Sequence, residues 1–236
     1  MDFDVKALLA PPNPFTFKKI LCVQPHPDDN EIGMGGTIAV LAAQGCEIHY
    51  LNVTNGDLGN KDKSATREQT AAQRRKETQL AGNHLGVAHY HYFDHGDSSL
   101  GDVRGLSMEI AEIIREVAPD AVFGPDPHLP YEAHLDHVVT GQALANAFRI
   151  SQAQAIGYYF TASPNTVIDV SEVFDKKFEA IALHDSQMTP ETLGMFRVYF
   201  SMKGQELAAG KGFAMGEGLK MLSQLHVHCF VDADRI

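Results

Sequence analysis

Short apolar runs of β character alternate with helix-like stretches from residue 18 to beyond residue 137, and this alternation constrains the fold more than any other feature. KKILCVQP (18–25) is a β-type run that stops at a proline, and CEIHYLNVT (46–54), HYHYF (89–93) and DAVFGPD (120–126) have the same character. GGTIAVLAAQG (35–45) begins after glycines and ends at one, and REQTAAQRRKETQLAGNHLG (67–86) reads as an amphipathic helix. LSMEIAEIIREVAP (106–119) puts Ile110, Ile113, Ile114 and Val117 on one face and stops at a proline. Repeated β-α units predict a mostly parallel sheet flanked by helices on both faces, with right-handed crossovers, in a Rossmann-like α/β architecture. Past residue 150 the pattern loosens: strands are expected at 155–162 and 166–170, a helix at 172–184, and a glycine-rich stretch at 204–218. With no repeat, low-complexity tract or linker, residues 1–236 are expected to form a single domain.

Composition excludes several function classes. Nineteen basic against thirty acidic residues leave a net charge of −11 and no basic patch, which argues against nucleic acid as a partner. No apolar run is long enough to span a membrane, and MDFDVKALLAPPNPF lacks the basic end and apolar stretch of a secretory signal, so a cytoplasmic location is expected. Cys22, Cys46 and Cys229 lie in apolar runs without metal spacing and are expected to be buried, reduced thiols. Seven of the twelve histidines concentrate in three windows plus one more position: 26, 128–137, 226–228 and His184.

HPDDNE (26–31) follows the first strand, and ligands of open parallel sheets bind beyond the carboxyl ends of strands. A histidine and adjacent carboxylates so close together suit a divalent cation, although Pro-Asp-Asp alone is equally good turn chemistry. PHLPYEAHLDH (127–137) also follows a strand and supplies His134 and His137 three apart on a starting helix, where surface capping histidines are the other reading. Two histidines and a carboxylate suit catalytic zinc, which leaves one position open.

QPHPDDNEIGMGGT (24–37) together with HLDH (134–137) resembles the PIG-L/LmbE-like family of zinc-dependent N-acetylglucosaminyl deacetylases. The likeness continues through RRKE (74–77), PDAVFGPDPHLPYEAHLDH (119–137), HDSQ (184–187) and GEG (216–218), and within the family is strongest to its diacetylchitobiose-deacetylating members. The resemblance implies one zinc per chain on His26, Asp29 and His137, with Asp28 as general base and a small acetylated aminosugar as substrate. It further implies that His134 donates to the developing oxyanion, and that Arg74, Asp97 and His228 contact the sugar. Asp136 is expected to hold His134 charged, a helix N-terminal acid favoured by the dipole being the alternative. Arg74 otherwise reads as part of a solvated charged face, Asp97 as a turn former, and His228 as capping a sheet edge alongside His226. Trimers or hexamers are common among relatives, and the same donor set accepts iron, cobalt or manganese.

The family's usual HPDH is HLDH here, and His128, Leu135 and Val138 differ from the diacetylchitobiose-deacetylating members at the expected rim. A deacetylase of GlcNAc-malate in thiol-cofactor synthesis is therefore the nearest alternative. From a different class, GMGGT (33–37) raises a nucleotide-binding or sugar-binding module without catalysis, although the acids of HPDDNE would repel phosphates.

Overall fold

The computed structural model describes residues 4–231 and 233. After a short helix α1 (Val5–Leu8), the chain runs β1 (Lys19–Gln24), α2 (Asp29–Ala43), β2 (Glu47–Thr54), α3 (Arg67–Leu85), β3 (His89–His95), α4 (Val103–Val117), β4 (Ala121–Pro125) and α5 (Leu135–Arg149). It continues through β5 (Ala155–Tyr159), β6 (Thr166–Asp169), α6 (Phe174–Ala182), α7 (Pro190–Ala208) and β7 (Gly216–Ser223). Among the described residues, seven strands join one sheet in the order β3-β2-β1-β4-β5-β7-β6. β1 to β5 are parallel, and β7 runs antiparallel to β5 on one side and β6 on the other. This is the expected α/β, mostly parallel, Rossmann-like architecture.

The central strands are apolar on both faces because helices cover both. In β1, Ile20 and Cys22 face the cluster that holds Met34 and Ile38 of α2, Leu85 of α3 and Ile181 of α6. Leu21 and Val23 face the opposite cluster, with Ile110 and Ile114 of α4 and Leu144 and Phe148 of α5. That two-sided packing fixes the register of β1 between its neighbours, with Ile20 opposite Ile48 of β2 and Ala121 of β4.

Several elements differ from the sequence expectation. α2 starts at Asp29, six residues before Gly35, because Asp29 and Glu31 in its first turn complement the helix dipole. The helix kinks at Met34 instead of ending among its glycines. Those glycines serve close packing: a Cβ on Gly36 would lie 2.8 Å from Val170, and one on Gly33 would enter the ring of Tyr159. α7 was not expected; Thr189 caps it and Pro190 opens it, but Leu193, Phe196 and Phe200 against the core are interleaved with exposed Met195, Val198, Tyr199 and Met202, so no single apolar stripe marks it. β7 lies inside the stretch read as irregular, and residues 225–229, where His226 and His228 are expected at a sheet edge, form a wide π-helical turn. Cys229 is exposed, unlike buried Cys22 and Cys46. No helix among the described residues is long and apolar enough to cross a membrane.

Candidate metal centre

β1 and β4 lie side by side, and their following helices go to opposite faces of the sheet, so the crevice beyond their carboxyl ends is the switch point where α/β folds place ligands. The loop after β1 carries His26, Asp28 and Asp29; the loop after β4 leads into His134, Asp136 and His137. His26, Asp29 and His137 converge, each offering a donor atom within 4.8 Å of the others. Asp29 bridges the pair, with Oδ2 3.3 Å from His26 Nδ1 and Oδ1 3.4 Å from His137 Nε2. Two donors at about 2.0–2.1 Å from a tetrahedral zinc stand about 3.4 Å apart, so this triad fits such an ion.

The remaining groups orient the triad. Asp136 is buried and accepts from the amides of Ser98 (2.8 Å) and Leu100 (3.3 Å). Its Oδ2 also lies 3.2 Å from His26 Nε2, which places the ring proton on Nε2 and leaves the Nδ1 lone pair for a cation. The expected hydrogen bond from Asp136 to His134 is not made: Asp136 turns inward against the 97–100 loop, although donor atoms of His26, exposed His134 and Asp136 still lie within 4.8 Å of one another. His137 has a comparable outer partner in Glu132, whose Oε2 lies 3.3 Å from Nδ1, an ion-pair distance without hydrogen-bond geometry. Glu132 was not singled out from the sequence, nor was Phe160 at the end of β5, whose ring lies nearly parallel to that of His137. Glu132 sits within the YEAHLDH run that carries the second motif, and nothing in the sequence near Phe160 signals its role.

Electrostatics follow from this crowding of carboxylates. Burial disfavours a charged His26, but Asp136, Asp29 and Asp97 outweigh it and push its pKa up to about 12. Burial would raise Asp29, yet His137 and His26 hold it far below the usual carboxylate range. Asp97, with Oδ1 3.5 Å from His26 Nε2, is likewise held down at about 2 despite its burial. Asp28 moves the other way: burial raises it, and the charge of Asp29 adds to that against the pull of Arg74. An excess of buried carboxylates over cations is a setting that a divalent ion neutralises.

Asp28 has φ 135°, a backbone conformation that costs a non-glycine residue about 1–3 kcal/mol. Arg74 of α3 holds it there. Its guanidinium donates to the carbonyls of Pro27 (2.7 Å) and Gly56 (3.0 Å) and lies 3.2 Å from Asp28 Oδ2. Arg74 is 3% exposed and clamps the motif loop, so it is not part of a solvated helix face. His228 is exposed, and among the described residues no hydrogen bond, ion pair or ring contact joins it to this cluster. His226 is structural, bonding Ser223 and the carbonyl of Leu9. His184 is fully buried, with Nε2 3.5 Å from Glu31 Oε2. The GMGGT segment offers no phosphate cradle, because Glu217 already accepts from the amides of Gly36 (3.1 Å) and Thr37 (2.7 Å).

The PIG-L family, described as GlcNAc-PI de-N-acetylase, matches residues 21–148, which span β1 to α5 and both motif loops. The chain belongs to this family. The PIG-L segment therefore contains every residue of the His26, Asp29 and His137 triad together with Asp28, Arg74, Asp97, His134 and Asp136. The chain is 33% identical to a diacetylchitobiose deacetylase of Thermococcus kodakarensis, over 89% of this chain and 85% of that one. It is 32% identical to a probable N-acetyl-α-D-glucosaminyl L-malate deacetylase 2 of Bacillus cereus, over 72% of this chain and 84% of that one. The fold matches an N,N′-diacetylchitobiose deacetylase of Pyrococcus horikoshii with a TM-score of 0.90 and 30% identity, covering 100% of this chain and 99% of the other.

Proposed function

We propose that this PIG-L protein is a zinc-dependent N-deacetylase that removes the acetyl group from a small GlcNAc-containing sugar, N,N′-diacetylchitobiose or GlcNAc itself, releasing acetate and the free amine. The observation that carries the reading is the division of labour between neighbours: Asp29 faces both ligand histidines, while Asp28 turns away toward Arg74. His26, Asp29 and His137 would hold the ion, which supplies Lewis acidity to water and to the acetamide carbonyl. Asp28 takes the proton from the attacking water on its carboxylate and passes it to the departing amine, a double role favoured by the upward shift that burial imposes. Arg74 fixes the strained loop that aims Asp28. His134 stands at the exposed mouth with its ring 4.5 Å from that of His26, suited to donate to the oxygen that becomes negative. Asp97 is assigned to sugar hydroxyls on the side of His26 away from Asp29, and sugar contacts by Arg74 and His228 are part of the same proposal.

The second sugar is assigned to the rim. His128 lines a cavity of about 530 Å³ together with Asp126, Tyr158 and His226, and Leu135 is exposed at the start of α5. The likeness to the Bacillus cereus protein supports GlcNAc-malate as the alternative substrate. α7 displays Met195, Val198, Tyr199 and Met202 to solvent at helical spacing, which supports a homo-oligomer built on that stripe. Incubating zinc-loaded protein with N,N′-diacetylchitobiose, GlcNAc and GlcNAc-malate, and measuring acetate and free amine, tests the reading. The expected result is release from the disaccharide or GlcNAc ahead of the malate glycoside; no acetate from any of the three overturns it.

A further inference from the structure

A second cluster of metal-ligating side chains lies at the opposite end of the sheet. β2 begins with Glu47 and His49, and β3, an edge strand, carries His89 and His91. His49 and His89 are direct register partners across the parallel pair. Side chains alternate along a strand, so Glu47 and His91, each two residues from one of them, share the same face. Glu47 Oε1 lies 2.8 Å from His49 Nε2 and 3.6 Å from His89 Nε2, and the rings of His49 and His89 stack with centroids 4.3 Å apart. The three donor atoms fall within 4.8 Å of one another.

We propose that Glu47, His49 and His89 form a second transition-metal site that clips the edge strand β3 to β2. The two carboxylate-to-imidazole distances bracket the separation of about 3.4 Å expected between donors on a tetrahedral zinc ion. The far nitrogen of His49, Nδ1, lies 3.1 Å from His91 Nε2, so when a cation takes Nε2 the His49 proton has an acceptor for its move to Nδ1. This repeats the arrangement of Asp136 behind His26. Two imidazoles and a carboxylate, with no thiolate, suit zinc, nickel or copper over calcium or magnesium. His89 is 53% exposed, which leaves a route of entry and room for water in the remaining positions. Lys19 Nζ lies 3.6 Å from the same Glu47 oxygen and also donates to the carbonyl of Val117 (3.3 Å), a partner it keeps when a cation replaces it at Glu47.

Seven strand steps separate Glu47 from Thr54, whose amide binds the carbonyl of Pro25 beside His26, so the two sites lie about 20 Å apart along β2. At that distance the second ion takes no part in chemistry on the substrate. Its contribution is to the edge, since a cation that binds only the folded pair of strands stabilises it. This proposal does not rest on the deacetylase reading.

The test is zinc stoichiometry by mass spectrometry after equilibrium dialysis at fixed micromolar free zinc. Wild type is expected to bind two ions per chain, Asp29→Ala one, His89→Ala one and the double variant none. His89→Ala should weaken the second site more than tenfold, since even an outer partner of a ligand is worth about 10–100-fold. Glu47→Gln serves as a second variant, and the melting temperature of each protein without metal checks that it folds. In Asp29→Ala, zinc should still raise the melting temperature, and that rise should vanish when His89→Ala is added. Zinc binding by His89→Ala and Glu47→Gln equal to wild type, or no zinc bound by folded Asp29→Ala, would overturn the proposal.

Discussion

Asp136→Asn separates two roles for a residue that the sequence alone ties to His134. In the structure its carboxylate faces His26 Nε2 at 3.2 Å and accepts two backbone amides, from Ser98 and Leu100. The asparagine keeps an acceptor for one amide but loses the charge that fixes the His26 proton. Outer partners of metal ligands are worth about 10–100-fold in metal affinity, so zinc at the His26 centre should bind about 10–100-fold more weakly. One buried amide left unpaired costs about 1–3 kcal/mol, which for a domain of this size lowers the melting temperature by several degrees. The assay is competition with a chelating dye on the Glu47→Gln background, so that only the His26 centre is read. Zinc affinity unchanged within twofold, with turnover reduced, would refute the reasoning and return Asp136 to His134.

The pH dependence has a defined sign. With His26 raised from 6.5 to about 12 in the metal-free fold, its contribution to stability is complete below pH 6.5 and is lost as pH rises toward 12. Thermal melts in chelator should therefore fall across that window more steeply for wild type than for His26→Asn; parallel curves would contradict the assignment. Zinc must displace the same proton, so calorimetry in buffers of different ionisation enthalpy should show release of about one proton per ion bound at this centre. Lys177→Met removes the partner 2.7 Å from buried Glu217 and should cost about 3–5 kcal/mol, read by denaturant unfolding; a cost under about 1 kcal/mol would show that Gly36 and Thr37 satisfy Glu217 alone. His128→Ala should raise KM for N,N′-diacetylchitobiose while leaving GlcNAc unchanged, and an equal effect on both would remove His128 from the second-sugar subsite.

What could be read from the sequence follows from how each element satisfies its groups. β1 over residues 20–23 and β4 are apolar because both faces are covered, and α4 carries a clean apolar stripe, so all three are visible in hydropathy. α3 hides its inward face: Arg74, Glu77 and Thr78 are buried, with Glu77 accepting from Ser186 and Arg74 donating to two carbonyls. A buried polar network looks like surface to any binary pattern. α7 fails for a different reason: Leu193, Phe196 and Phe200 pack against the core while Met195, Val198, Tyr199 and Met202 lie exposed, so apolar residues surround the helix. At the centre, the two motifs name residues that do converge, but the partner of Asp136 depends on the rotation of α5 against the 97–100 loop. Contacts over such separations have no local signature.

The central claim is that Asp28, beside a metal held by His26, Asp29 and His137, moves the proton in N-deacetylation. Acetate release from N,N′-diacetylchitobiose, measured beside zinc content for wild type and Asp28→Asn, tests it most directly. The account predicts catalytic acetate release by wild type and a loss of about 10²–10⁴-fold in Asp28→Asn with zinc content unchanged. Full turnover by zinc-loaded Asp28→Asn would contradict it.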